Sequence, residues 1–342
     1  MARKPIVGVT MGDPAGIGPE IVLKAFQSPA VLDAADYLVY GSPEAMERAA
    51  GLPGATAGLR IREVGSPGDC RFAPGTVEVL RCGGLDLSAF KIGEVSAACG
   101  DAAFLAIERA IEDALAGRID ATATAPINKE ALRLAGRHFA GHTEIYAHFT
   151  GTTDYTMLLM EGSLRVAHVS THVSLREAIA LAKKERIVTV VRLLHQALAG
   201  MGIGEPRIAV AGLNPHAGEN GLFGREEIEE IAPAVAQAAA LGARGPFPPD
   251  TVFSRAAGGE FDAVVAMYHD QGHIPLKMAG FRYGGESGPK ISGINITLGT
   301  PVIRCSVDHG TAFDRAGTGQ ADPGSMEAAM IAAAGMASSR GL

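Results

Sequence analysis

Tryptophan is absent from this 342-residue chain, and only 5% of its residues are aromatic. Cysteine is scarce as well. Cys70, Cys82, Cys99 and Cys305 are scattered and form no C-x-x-C pair. That spacing argues against a disulfide framework or a thiolate zinc site and suits a reducing cytoplasm. Cys305, inside the apolar run VIRCSV, reads as core packing. No run of 18 apolar residues occurs, so no membrane span is expected. Basic residues are outnumbered, 30 Lys and Arg against 37 Asp and Glu, for a net charge of −7. A nucleic-acid partner, which needs a basic stripe, is therefore not expected. The opening MARKPIVGVTMGDP has its apolar stretch broken at once by Gly and Asp, which reads as a first strand and not a signal peptide.

What is present describes a globular protein. Hydrophobic residues make up 47% and charged residues 20%, and the 44 glycines fit many tight strand-to-helix turns. The length favours two domains. Strand and helix patterns alternate. Pro5–Thr10 reads as a strand and a helix begins at Pro19-Glu20, with proline and an acid in its first turn. Ala35–Tyr40 is a strand, residues 52–94 resist ordering, Ser96–Ala116 is a long helix and Ala121–Ala125 a short strand. Asp154–Glu161 and Leu164–Val169 read as adjacent strands, and Ser174–Ala182 as a helix opened by a Ser174/Glu177 capping box. Helices are expected at Arg186–Met201 and Gly224–Leu241, a loop at Gly242–Asp250, closing strands at Ile294–Leu298 and Val302–Val307, and a terminal helix at Ser325–Met336. No repeat or floppy linker interrupts the chain, which suggests two closely packed domains with a cleft between them.

Three apolar runs each lead to a histidine. LRVAHV (164–169) reaches Thr171-His172, RIAVAGL (207–213) reaches Asn214-Pro215-His216, and DAVVAMY (262–268) reaches His269-Asp270-Gln271. Short Val/Ala-rich runs flanked by helices are how buried parallel strands read. Ligands of open α/β sheets bind outside the carboxyl ends of the strands, so three imidazoles leaving there can converge on one divalent metal. Any one of these histidines alone reads as an ordinary core or surface residue. Asp270, beside His269, is placed to orient that ring.

Other polar groups collect at predicted loops. His142 and Thr143 open a helix where an anion can sit, although Thr143 equally reads as a plain cap. Lys277 lies shortly after His269, and Asn295 and Arg304 belong to the closing strands; Lys and Arg near a sheet edge suit phosphate or carboxylate, although each alone reads as a solvated surface charge. The loop Gly12–Gly18 is glycine-rich but is not G-x-G-x-x-G, so a standard Rossmann site is not expected. Asp308–Asp314 (DHGTAFD) is a second candidate for holding a nucleotide. His138, His148 and His195 read as structural.

Taken together, MGDPAGIGPEI, GHTE, the STH exit, NPHAGENGLFGREE, YHDQG followed by Lys277, NITLGTPVIR and SVDHGTAFDRAG closely resemble the 4-hydroxythreonine-4-phosphate dehydrogenase (PdxA) family, from about Gly8 to Met336. The resemblance implies an α/β, isocitrate/isopropylmalate dehydrogenase-like fold of two α/β/α domains. The first is expected over residues 1–130 plus 305–342. The second, residues 131–304, would carry the metal histidines and most of a homodimer interface. It further implies NAD or NADP as hydride acceptor, held by His309, Gly310, Thr311 and Asp314. One divalent metal (Zn, Co or Mg) on His172, His216 and His269 would be shared between subunits, with His142, Thr143, Lys277, Asn295 and Arg304 on an anionic substrate. The reaction implied is oxidation of 4-phosphohydroxy-L-threonine to a 3-keto acid that decarboxylates to 3-amino-2-oxopropyl phosphate, as in pyridoxal phosphate biosynthesis. Lys129, at the exit of ATATAPINK, is the candidate general base by position, with Asp270 and Asp13 behind it.

Two departures bear on substrate. Phe281–Ser292 (FRYGGESGPKIS) is longer than the family's short turn and reads as a loop, and His273-Ile274 stand where the biosynthetic form tends to have LP. A paralogue oxidising a four-carbon sugar-acid phosphate or an aromatic carboxylated cis-dihydrodiol is the alternative. A non-catalytic metal- or anion-binding protein is the reading from another class.

Overall fold

The structure is a computed structural model that describes residues 3–54, 58–282 and 290–340. The chain divides into two compact units, Met1–Thr152 with Gly284–Ile294 and Thr300–Leu342, and Thr153–Tyr283 with Asn295–Gly299. The first crossing thus falls after Thr152 and not near residue 130, and the last segment rejoins at Thr300. The reason is packing. Helices Lys129–Leu134 and His142–Thr150 send Leu132, Ile145 and Tyr146 into a cluster with Phe104, Ile107 and Ile111 of helix Ala97–Leu115 and with Val302. The Tyr146 hydroxyl also donates to Thr122 Oγ1 at 2.8 Å.

The strands are β1 (Ile6–Thr10), β2 (Asp36–Gly41), β3 (Arg60–Val64), β4 (Thr76–Arg81), β5 (Ala121–Thr124), β6 (Thr156–Glu161), β7 (Leu164–His168), β8 (Ile208–Ala211), β9 (Ala243–Phe247) and β10 (Ala263–Ala266). The two-residue β11 (Phe281–Arg282) and β12 (Lys290–Ile291) follow, then β13 (Ile294–Leu298) and β14 (Arg304–Val307). In the first unit the order is β3-β4-β2-β1-β5-β14, all parallel. Parallel strands covered on both faces must be apolar throughout. Val7, Val9, Leu38, Val39, Ala121, Ala123 and Cys305 are accordingly fully buried. All four cysteines are free. The second unit runs β13-β6-β7-β10-β8-β9, with β6 and β7 an antiparallel hairpin and β7, β10, β8 and β9 parallel. No helix among the described residues is long and apolar enough to cross a membrane.

Local signals act as expected at several ends. Pro19 and Glu20 open helix Gly18–Ala25, Ser96 precedes Ala97–Leu115, and Ser174 with Glu177 forms a complete capping box. Three expectations need correction. The helix expected over Gly224–Leu241 is broken into a π-helical turn (Glu227–Ile231), an α-helix (Ala232–Gln237) and a 3₁₀ turn (Ala239–Leu241). Pro233 lacks the N–H that would bond back to Glu229, so the turn before it widens. Gly242–Asp250 is not a loop, because Ala243–Phe247 forms β9 and the helix Pro249–Ala257 begins there. Pro246 is tolerated because β9 is an edge strand whose register shifts against β8 between Ala209 and Ala211. Residues 52–94 hold β3 and β4. Of the expected loop Phe281–Ser292, the ends are β11 and β12, and 283–289 lie outside the described residues.

Gly100 marks the closest helix contact in the first unit. A Cβ there would stand 2.2 Å from the Ala131 backbone, whereas one on Gly335, inside helix Gly324–Ser339, would meet nothing within 4 Å. Gly100→Ala should therefore destabilise the protein by ~1–3 kcal/mol, and Gly335→Ala should stabilise it by up to ~1 kcal/mol through helix propensity. Urea unfolding of the two variants checks the contrast, and equal midpoints would contradict the packing described.

Candidate metal and anion sites

The three histidine-bearing runs are neighbours in the second unit. β10 lies between β7 and β8 and pairs parallel with both, so all three exits leave one edge of the sheet. The structure brings two of the three rings together. His172 and His269 have centroids 5.8 Å apart, beside a cavity of about 650 Å³ that Tyr268 and Glu177 also line. His269 Nδ1 donates to Asp270 Oδ1 at 2.6 Å, which leaves Nε2 as the ring nitrogen that this carboxylate does not engage. His273, one helical turn on, stacks on His269 at 3.6 Å and 11°, and its ring also meets that of the fully buried His168 at 4.8 Å. The His269 ring is therefore held from two directions. Burial pushes His273 down to about 4 and His168 to about 3, so both rings are neutral at ordinary pH.

His216 is not part of that pair. Among the described residues, no group of three or more His, Cys, Asp or Glu side chains is disposed to hold a metal within one chain. The segment around His216 is unusual. His216, Ala217, Gly218, Glu219 and Asn220 have φ of 52, 54, 79, 40 and 56°, five successive residues in the left-handed region. Four of them carry a Cβ, and each such residue costs roughly 1–2 kcal/mol. The buried Glu227 offsets this. One carboxylate oxygen accepts from the Leu213 and Asn214 N–H groups at 2.7 Å each, and the other from Asn214 Nδ2 at 2.9 Å. A Cβ on Gly218 would lie 2.7 Å from Glu227 Oε2, so glycine is required there. The Gly and Asn content of NPHAGENG marks such a turn; nothing local marks Glu227 as its clamp.

In the first unit a second group forms. Arg304 is buried on β14, with Nε and Nη2 each donating to Thr124 Oγ1 at 3.2 Å, and Nη1 reaching Thr143 Oγ1 at 3.4 Å. Burial pushes its guanidinium down to about 10, still charged at neutral pH. His142 is buried beside it, its Nε2 without a hydrogen-bond partner. Desolvation, reinforced by the Arg304 charge, holds that imidazole well below its ordinary range, so it is neutral. Lys129 is close to the start of this helix, its Cε 3.9 Å from where a Cβ on Gly141 would stand. His142, Thr143, Arg304 and Lys129 thus share one neighbourhood. Lys277 and Asn295 belong to the second unit. His269, His273 and Lys277 recur every fourth residue along one helix face, and Asn295 Oδ1 is buried without a hydrogen-bond partner.

The two polar loops of the first unit touch. Ile17 N–H donates to Thr311 O at 3.0 Å, and a Cβ on Gly16 would be 2.8 Å from that oxygen. Gly310 and Asp314 are exposed, and His309 Nδ1 donates to Gly310 O at 2.9 Å. A cavity of about 380 Å³ lies alongside, lined by Pro14, Gly16, Arg48, Leu52, Ala316 and Gly317. Its wall is largely apolar, with one cation, Arg48, and one carboxylate, Glu20. Asp13, in the first loop, is fully buried. Its Oδ1 accepts from Ala15 N–H at 2.8 Å, Oδ2 has no partner, and burial raises it to about 6.

Comparison with known proteins decides the family. The family model described as pyridoxal phosphate biosynthetic protein PdxA matches residues 33–333. The chain belongs to the PdxA family. It is 48% identical over 322 residues to the D-threonate 4-phosphate dehydrogenase of Salmonella typhimurium, covering 94% of this chain and 95% of that one. It is 44% identical over 335 residues to the 4-hydroxythreonine-4-phosphate dehydrogenase of Desulforapulum autotrophicum, covering 97% and 95%. Among solved structures, the 4-hydroxythreonine-4-phosphate dehydrogenase of Klebsiella pneumoniae matches with a TM-score of 0.84 at 47% identity, covering 97% and 99%. A terephthalate 1,2-cis-dihydrodiol dehydrogenase of Burkholderia xenovorans matches at 0.64 and 34%, covering 94% of each. The resemblance read from the motifs is thus established, and this PdxA-family chain is an oxidoreductase acting on a CH–OH group. The non-catalytic reading is set aside.

The buried His142 gives a pH prediction. Its folded-state pKa is depressed, so the unfolded chain takes up a proton that the native state refuses, and stability is lost as pH falls below about 6.5. His142→Gln should flatten the stability profile below pH 6.5 by up to ~1.4 kcal/mol per pH unit. Urea titrations of both proteins at pH 7 and pH 5 measure this, and parallel profiles would contradict a neutral, desolvated ring.

Proposed function

We propose that this PdxA-family enzyme oxidises a four-carbon, 4-phosphorylated 2,3-dihydroxy acid, D-threonate 4-phosphate. The hydride goes to NAD or NADP, and the 3-keto acid formed then loses CO₂. The observation that carries this reading is the anion cradle of Arg304, His142 and Thr143 in a chain whose relative at 48% identity is named for that substrate. A buried, permanently charged guanidinium beside neutral donors suits a phosphate or carboxylate. Lys277 and Asn295 keep the substrate-contacting role that the family resemblance gives them. The 2-amino counterpart, 4-phosphohydroxy-L-threonine of the pyridoxal phosphate route, is the second reading, favoured by the family description and by the relative at 44% identity. A carboxylated cis-dihydrodiol has the support of one neighbour at 34% identity and offers no phosphate to the cradle.

The histidine donor set fits a zinc-like divalent cation. Imidazole nitrogen is its preferred ligand, and His269 already has the carboxylate partner that metal-bound histidines use. His172 and His269 would hold it, with His216 as the further ligand. Two paired rings are one short of the three a catalytic site requires, which supports completion by a second copy of the chain in a homodimer. The loops 12–18 and 308–314 fit the dinucleotide, with His309, Gly310, Thr311 and Asp314 at its edge. The same reading takes the fold as isocitrate/isopropylmalate dehydrogenase-like. When bound, the metal supplies Lewis acidity at the hydroxyl and the dinucleotide a hydride acceptor. The chain's own residues do the rest. Lys129 is the group that takes the hydroxyl proton while the C3–H leaves as hydride. Asp270 spends one oxygen on His269 and acts by orienting that ring. Arg304, Thr143 and His142 fix the anionic end, which turns an encounter into an oriented reaction. After oxidation, breaking the C1–C2 bond leaves an electron pair that is protonated at C2.

Two measurements test this. Initial rates of NAD(P)H formation should give a kcat/KM for D-threonate 4-phosphate about tenfold or more above that for 4-phosphohydroxy-L-threonine, a difference of ~1.4 kcal/mol in transition-state binding; the reverse order refutes the assignment. His216→Ala should lose turnover and bound metal together, and full metal occupancy with wild-type activity would remove His216 from the site.

A further inference from the structure

Sequence patterning directs attention to the three histidines but not to what keeps their strand exits in register. In the second unit the exits converge on the peptide groups of one residue, Met267, which follows β10. Its N–H donates to Gln271 Oε1 at 2.7 Å, and its carbonyl accepts from Ser170 Oγ at 3.0 Å. Ser170 stands two residues before His172. Gln271 stands two residues after His269, in the first turn of the helix His269–Gly280, and its Nε2 donates to Gly212 O at 2.8 Å. Gly212 follows β8 and begins the segment that Glu227 clamps and that carries His216. Gln271 and Ser170 are both buried. Only one orientation of the Gln271 amide satisfies both contacts, because a backbone donor needs its oxygen and a backbone acceptor its nitrogen.

We propose that Gln271 is a positioning residue for the metal centre: its side-chain amide ties the His216-bearing exit to the His269-bearing helix and so sets where the two rings are presented. This rests on the metal reading above. An apolar side chain of the same length would fill the space but leave the Met267 donor and the Gly212 acceptor unmet. A glutamate would keep the Met267 contact and set a carboxylate oxygen against the Gly212 carbonyl. Both changes free the exits to shift without touching an imidazole.

The test uses full-length protein stripped with a chelator and titrated with Co²⁺, followed by the visible absorption of the bound ion. Gln271→Met and Gln271→Glu should bind Co²⁺ about 10–100-fold more weakly, with an altered spectrum. Their far-UV circular dichroism and their melting temperature in chelator should stay close to the wild type. In steady-state assays kcat should fall while KM for the dinucleotide holds. Wild-type Co²⁺ affinity and spectrum in both variants would overturn the proposal, and so would failure of both to fold, which would mark Gln271 as merely structural. If only Gln271→Met fails to fold, Gln271→Glu decides. The separate comparison of His269→Ala with wild type isolates the underlying reading: if that variant binds Co²⁺ unchanged, the metal reading falls and the role of Gln271 with it.

Discussion

The parallel pairing of β7, β10 and β8 is the constraint on which the second unit's chemistry depends. Parallel strands end at a common edge, so residues a hundred positions apart arrive within one neighbourhood without any local signal. Pairing alone brings exits together only coarsely, because loops that follow strands are free to diverge. The buried polar contacts at Met267 remove that freedom. The stacking of His273 on His269 and the bond from His269 to Asp270 then fix ring orientation. Each layer would be less useful without the one beneath it, since an oriented ring on a wandering loop presents its nitrogen nowhere in particular.

Strain enters at His216. Five left-handed residues in succession are a conformation the chain does not choose unaided, and a single carboxylate, Glu227, meets three donors to hold the segment that leads into it. Removing such a carboxylate would leave two part-buried backbone donors without their acceptor. The arrangement is consistent with strain stored where a side chain must be aimed and compensated by neighbours of ordinary geometry.

Much of this architecture is legible in the amino-acid sequence, and the failures have physical causes. Strands buried on both faces, such as Val7–Thr10 or Ala263–Ala266, show as short apolar runs because burial alone dictates their composition. The edge strand β3 (RIREV) does not, since an edge is half wet and carries Arg and Glu. Flanking alanines mask the break at Pro233, and Pro246, which only an edge strand tolerates, masks β9. At the site, adjacency made Asp270 visible as the partner of His269. Glu227 and Gln271 were invisible because their partners are backbone groups brought near by the fold. His216 itself opens a run of left-handed residues that composition hints at but does not specify.

In the first unit the electrostatics explain why arginine, and not lysine, suits position 304. Burial lowers the affinity of any cation for its proton, yet guanidinium starts high enough that a fall to about 10 leaves it charged. A lysine amine begins about two or more units lower and under the same burial would approach neutrality. Beside it, His142 is held neutral by desolvation and by that same charge, so its ring adds no second positive charge. The pair therefore presents one fixed positive charge and one neutral imidazole across the whole range from mildly acid to alkaline. If this cradle takes the anionic end of the substrate, its contribution to binding is independent of pH there. Any pH dependence of turnover must then arise outside the cradle. Binding and proton transfer would be separable by measuring KM and kcat against pH.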